Sequence, residues 1–223
     1  MLSTVNEIES ARFPCNTGGC FPAGTRVWTK DGQVPIEQIR VGDLVLSQPE
    51  AGGEQAFRHV VKTFVHEDKT LRSIAYELED GSRFVLAATG NHPFWAVEED
   101  PFDEDDDGVL KRRALGWTQA AALERFNHLI QLHDGSYARV VENLPVYRTE
   151  VAGHGWSASS EGRRVGFVWN YQAGSLVANG IPENQDITWG DDPLLKVRVY
   201  DFEVEDCHTC YVGNGGLWVH DTD

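Results

Sequence analysis

Apolar and polar residues alternate with a period of two along most of the chain, the pattern of half-buried strands. "TRVWTKDGQVPIEQIRVGDLVLS" divides into two short strands around Asp31-Gly32, a short turn at "PIEQI" and a strand "DLVLS". The Asp-Gly pair predicts a type I′ hairpin there. "RHVVKTFVHE" and "LRSIAYELEDGSRFVLAATGNHPFWAV" predict long strands. In the second, Ile74, Tyr76 and Leu78 alternate before Asp80-Gly81, and Phe84 and Leu86 follow it. "HLIQLHDGSYARVVENLPVY" gives a third hairpin, around Asp134-Gly135. "LLKVRVYDFEVED" is a long strand with Tyr200, Phe202 and Val204 on one face and Asp201 facing the other way. "GGLWVHD" is the last strand. One helix is expected, "GWTQAAALER", where Thr118 caps and three alanines follow. The fold class is therefore all-β, with one or two short helices.

Two segments depart from this pattern. Residues 153–194, rich in Gly, Ser and Trp, are expected to be an insertion between strands. "EEDPFDEDDDG" reads first as a solvated acidic loop, because charges of one sign at that density repel. Its Asp103, Asp105, Asp107 and Gly108 also match the first half of a calcium loop. The ninth and twelfth positions are Lys111 and Ala114, and the bidentate Glu is missing, so calcium is a weak candidate and no metal is expected.

The 223 residues suffice for a core, and 19 basic against 35 acidic residues give a formal charge of −16. That balance argues against nucleic acid and anionic membranes as partners. "MLSTVNEIES" lacks the basic start and apolar core of a signal peptide. Of the four cysteines, Cys207 and Cys210 form a single C-x-x-C in a strand and bend, a poor match to zinc or redox sites.

Three places carry candidate chemistry. Cys20 follows Gly18-Gly19, and its sulfur can attack the Gly19 carbonyl through a five-membered ring. Thr89 and His92 lie three apart in "TGNHPFW", where a strand ends before a proline; an imidazole there can move a proton near neutral pH. Asp201, His208, His220, Asp221 and Thr222 form an acid–base group near the end of the sequence.

Together these pieces resemble the Hint (hedgehog/intein) superfamily. Cys20 with "FPAGTRVWTKDGQVPIEQIRVGDLVLS" is similar to its opening motif, "TGNHPFW" to its T-x-x-H motif, and "VYDFEVEDCHTCYVG" and "LWVHD" to its two closing motifs. The nearest flavour is the pretoxin-type or bacterial intein-like domain. The resemblance implies a flat, horseshoe-shaped β fold with pseudo-twofold symmetry, spanning residues 20–221. Residues 1–19 and 222–223 would be flanking segments. It also implies single-turnover self-processing without a cofactor. Cys20 converts the Gly19–Cys20 bond to a thioester, His92 protonates the departing nitrogen, and Thr89 holds the bond in a strained geometry, with Asn91 nearby. Asp201 assists the thiol proton. In splicing relatives the residue corresponding to Thr222 then attacks, and the terminal residue cyclises with help from His208 and His220.

Asp221 stands where the family usually has Asn. A carboxylate closes an anhydride instead of a succinimide, which favours cleavage over splicing; replacement of an original Asn by deamidation or design is the other explanation. The implied partners are the covalently attached flanking segments, such as a carrier and a toxin, with an immunity or chaperone protein as a further partner and a monomeric state. The implied setting is the bacterial cytoplasm before export, or a larger secreted protein. Two other readings compete: a degenerate scaffold that only links and binds, and transfer of the thioester to an alcohol such as a sterol.

Overall fold

The computed structural model describes residues 19–104, 108, 110–158, 166–179 and 192–221. Strands follow one another with little else between them: β1 (Phe21–Pro22), β2 (Arg26–Thr29), β3 (Gly32–Pro35), β4 (Leu44–Ser47), β5 (Ala56–Glu77), β6 (Arg83–Thr89), β7 (Pro93–Glu104) and β8 (Leu110–Gln119). The second half holds β9 (His128–Gln131), β10 (Tyr137–Pro145), β11 (Tyr147–Arg148), β12 (His154–Ala158), β13 (Gly166–Asn170), β14 (Ser175–Asn179), β15 (Lys196–Val204), β16 (Thr209–Val212) and β17 (Leu217–His220). Thirteen strands share one sheet along the path β1-β15-β5-β10-β9-β7-β17-β16-β2-β3. β4 joins β2 to β5, while β6 and β8 lie on β5 and β7.

The three Asp-Gly hairpins form, with a different turn chemistry from the type I′ expected. Thr29 pairs with Gly32, so Lys30-Asp31 is the connection and Gly32 (φ +107°) opens β3. At the other two, the Leu78 and Leu132 amides donate to Ser82 and Ser136 carbonyls, closing three-residue loops. Gly81 and Gly135 take the left-handed conformation, and Asp80 and Asp134 each accept the amide of the serine two residues on. This is a type I turn closed by a glycine bulge.

Two expectations about elements fail. The helix over "GWTQAAALER" is absent: Trp117 and Thr118 belong to β8, and only Ala120–Ala122 form a 3₁₀ turn. Trp117 packs edge-on against Trp95 and Trp218, with ring centroids 5.2 and 5.0 Å away. The Asn143 amide donates to the Ala120 and Leu123 carbonyls, tying the turn to β10. Aromatic burial thus overrides alanine propensity. The two strands expected at 58–67 and from 71 are one, β5; the apparent break at Asp68 (φ +57°) is a register shift against β15.

Residues 153–194 contribute β12–β14, which with β11 make a separate four-stranded sheet. This meander docks beside the start of the main sheet. Tyr171 enters a buried cluster with Cys20, Leu71, Val146, Leu195 and Val199. The turn after β13 presses on the loop after β1: a Cβ on Gly174 would lie 2.5 Å from the Gly24 Cα, and both glycines have positive φ. Gly174→Ala should therefore cost about 2–4 kcal/mol, combining left-handed strain with overpacking. Urea unfolding measures the loss, and an unchanged midpoint would contradict this packing.

Candidate functional site

Strand pairing brings the two ends of the described chain together. β1 lies antiparallel to β15 with Phe21 opposite Tyr200, so one step further places Cys20 opposite Asp201. Three residues along the same strand, the Val204 amide donates to Asp221 Oδ2 at 2.6 Å. Strands rise about 3.3 Å per residue, so Asp201 and Val204 are about 10 Å apart.

At the first junction, Thr89 grips the Cys20 residue from both sides of its backbone. The Cys20 amide donates to Thr89 Oγ1 and the Thr89 amide donates to the Cys20 carbonyl, both at 2.9 Å. This amide belongs to the Gly19–Cys20 bond. His92 lies against Gly19 so closely that a Cβ there would be 2.6 Å from both Nδ1 and Cα of His92. The turn from Thr89 to His92 includes the half-buried Asn91. It is braced from outside: the Ala120 amide donates to the His92 carbonyl and the Ala121 amide to the Gly90 carbonyl, both at 2.7 Å. The His92 ring packs on Phe21 and Phe94, with centroids 4.1 and 5.5 Å away. The described residues include no cis peptide bond, and Cys20 is not among those with positive φ.

This junction is dry. Cys20, Thr89, His92 and Asp201 are all buried. Burial, with the Asp201 carboxylate adding to it and Lys69 opposing it, pushes the Cys20 thiol up to about 12. Burial pushes His92 down to about 3, against the effect of a hydrogen bond with the Gly19 backbone and with the His220 charge lowering it further. At pH 7 the thiol is thus protonated and the imidazole is neutral.

The second junction is wetter on one side. Asp221 is buried, and its amide donates to the His208 carbonyl at 2.8 Å. His208 Nδ1 lies 3.5 Å from Asp221 Oδ1, and its ring is 42% exposed. His208 itself has φ +52°, which turns its side chain back from the loop after β15. His220, on β17, directs Nδ1 at the Asp221 carbonyl oxygen and Nε2 at a Glu50 oxygen. Trp117 stands edge-on to the ring, 5.1 Å between centroids. Cys210 is buried between the junctions, its thiol pushed well above the usual range by burial and then by Asp221 and Asp201.

The structure so gathers seven of the residues singled out in the sequence: Cys20, Thr89, His92, Asp201, His208, His220 and Asp221. Thr222 lies outside the described residues. Lys69, Cys210, the Val204 amide and Glu50 were not anticipated. Three of these act through pairing and burial that no motif marks, and Glu50 sits in an ordinary "QPEAGG" loop. Asp103 is the penultimate residue of β7, and Asp105 and Asp107 lie outside the described residues. Leu110–Ala114, the last five positions of the matched calcium loop, run instead as strand β8 paired with β7. Among the described residues, no group of three His, Cys, Asp or Glu side chains is placed to hold a metal ion. Cys20, Cys207 and Cys210 form no disulfide among the described residues.

Comparison with known proteins bears on the fold that carries these residues. A family model described as Hint domain matches residues 19–76, from the first junction through most of β5. No curated protein matches. The fold is similar to a bacterial intein-like domain from Clostridium thermocellum, at 23% identity and TM-score 0.53, covering 91% of this chain and 98% of that one. It is also similar to a DnaB intein from Synechocystis, at 12% identity and TM-score 0.51, covering 92% and 99%. Residues 19–76 thus match the Hint domain, and the likeness to these two intein structures shows the same fold over most of the chain.

Proposed function

We propose that this chain is a self-processing domain, residues 20–221, that cleaves the peptide bonds at its own two junctions and releases the flanking segments. The observation that carries the reading is the convergence on β15, which places Cys20 with Thr89, His92 and Asp201 at one end and Asp221 with His208 and His220 at the other.

The first step is an N–S acyl shift. The Cys20 sulfur attacks the Gly19 carbonyl carbon, the C–N bond breaks, and a thioester and a free amine result. The sulfur loses one proton and the nitrogen gains one, so the step needs no external acid or base. Asp201, opposite Cys20, takes the thiol proton. A neutral His92 gives its proton to the Cys20 nitrogen only as it receives another, so the two side chains act as the ends of one relay. Thr89 Oγ1 already sits on the Cys20 amide and holds it in place as the bond rehybridises.

The second step acts on the bond after Asp221. A side-chain oxygen attacks the residue's own carbonyl carbon, the amine of Thr222 leaves with a proton, and the cyclic anhydride opens in water to restore Asp. His220 polarises the carbonyl through Nδ1, and His208 faces the carboxylate. The expelled amine competes with water for the anhydride, so this route is slower than ring closure through an amide. Cleavage is therefore the favoured outcome over splicing, and a C-terminal partner such as a toxin domain is the cargo that such cleavage would free. The second reading is a Hint scaffold that has lost activity at this junction; the engagement of the Asp221 carboxylate by Val204 and His208 favours it to the extent that it holds the nucleophile away from its own carbonyl.

Reporters fused to both ends separate these readings on a gel. Wild type should lose both reporters over hours to days at pH 6–8, Cys20→Ala only the C-terminal one, and Asp221→Ala only the N-terminal one. Asp221→Asn should speed C-terminal release by about 10-fold or more, since the amide closes a more persistent ring. A chain that stays whole in all four forms would favour the scaffold. Gly19→Val should slow N-terminal release about 10²-fold, because its Cβ displaces the bond from His92; a wild-type rate would contradict that contact.

A further inference from the structure

We infer that Glu50, in the loop between β4 and β5, is the positioning residue for His220 and sets the rate of cleavage after Asp221. The inference rests on the self-processing reading and adds a residue to it.

The loop is held where it needs to be. Thr209 Oγ1, on β16, accepts the Gln48 amide at 3.3 Å and donates to the Gln48 carbonyl. The Tyr211 hydroxyl donates to Gln48 Oε1 at 2.7 Å and accepts from Gln55 Nε2 at 2.9 Å. Both ends of the loop are thereby fastened to β16. Thr209 is also the cross-strand partner of His220. The anchor that fixes Gln48 therefore fixes Glu50, two residues on, relative to the ring that it meets.

The ring is defined from three directions. Glu50 takes Nε2, the Asp221 carbonyl takes Nδ1, and Trp117 closes one edge. A carbonyl oxygen and an ionised carboxylate both only accept, so each ring nitrogen must carry the proton aimed at its partner. Without Glu50 the imidazole can rotate about its Cβ–Cγ bond, and either nitrogen or neither then faces the carbonyl. A carboxylate that orients one ring nitrogen so that the other addresses the reacting group is a general device of histidine sites. Glu50 does not touch the bond that breaks. At the Gly19–Cys20 junction, Thr89 holds the Cys20 amide, Asp201 and Lys69 act on the thiol, and Gly19 and His220 act on His92, so Glu50 reaches that junction only through His220. The effect should be confined to one end of the chain.

The test uses the full chain with a C-terminal reporter and Cys20→Ala as background, and thiol-induced N-terminal cleavage measured separately with Cys20 intact. Glu50→Ala should slow C-terminal cleavage about 10–100-fold. Glu50→Gln, which retains a hydrogen-bonding group at Nε2, should stay within about 3-fold of wild type. Neither should change N-terminal cleavage, and Glu50→Ala should add nothing to His220→Ala. A wild-type rate in Glu50→Ala, equal loss at both junctions, a further loss on top of His220→Ala, or a Glu50→Gln variant as slow as alanine would each overturn the role. The ¹⁵N shifts of the His220 ring provide a readout that does not need cleavage. If they change in Glu50→Ala while wild type fails to cleave at all, the pair stands and the self-processing reading falls. Unchanged shifts overturn the pair.

Discussion

One strand carries the arrangement. β15 uses its edge with β1 to place Cys20 opposite Asp201, and three residues later lends the Val204 amide to the Asp221 carboxylate. The other edge of β15 is paired along most of its length with β5, the longest strand of the fold. Residues 20 and 221, far apart in sequence, are thus held against two positions of β15 that lie about 10 Å apart. A one-residue slip of β1 on β15 would replace Asp201 as the neighbour of Cys20 and turn its side chain to the other face. The remaining machinery is arranged around this pairing: the Thr89–His92 turn closes over Cys20, and β17 delivers His220 beside it through its pairing with β7.

The two junctions face different environments, and this shapes their chemistry. At Cys20, burial keeps both the thiol and the imidazole uncharged beside the Gly19–Cys20 bond, so in the proposed reaction attack waits on the movement of a proton. At Asp221, the carboxylate is buried while His208 and His220 remain in contact with water. Water is a substrate in opening an anhydride, so exposure on that side suits hydrolysis. The meander of β12–β14 reaches the first junction, where Tyr171 joins the buried cluster around Cys20.

The fold class and the hairpins were legible in the sequence because each left a local mark, and the seven residues that the motifs singled out lie close together in the fold. Alternation set the strands, Asp-Gly marked the turns, and ordered motifs marked the chemistry. What was not legible depends on distant contacts. Ala120–Ala122 look helical until Trp117 is seen among Trp95 and Trp218 and the Asn143 amide is seen holding the turn. The Lys30-Asp31 turn was displaced by one residue because Asp-Gly serves the bulged type I turn as well as type I′. Glu50 left no mark because its role comes from a loop anchored by Thr209 and Tyr211, more than 150 positions away in sequence.

The central claim is that the buried Cys20 forms a thioester with Gly19. Incubating the purified chain with hydroxylamine at neutral pH, followed by intact mass measurement, tests it most directly. The expected result is a fragment ending in the Gly19 hydroxamate and a complementary fragment beginning at Cys20, both absent from Cys20→Ala. An unbroken wild-type chain, or the same fragments from Cys20→Ala, would contradict it.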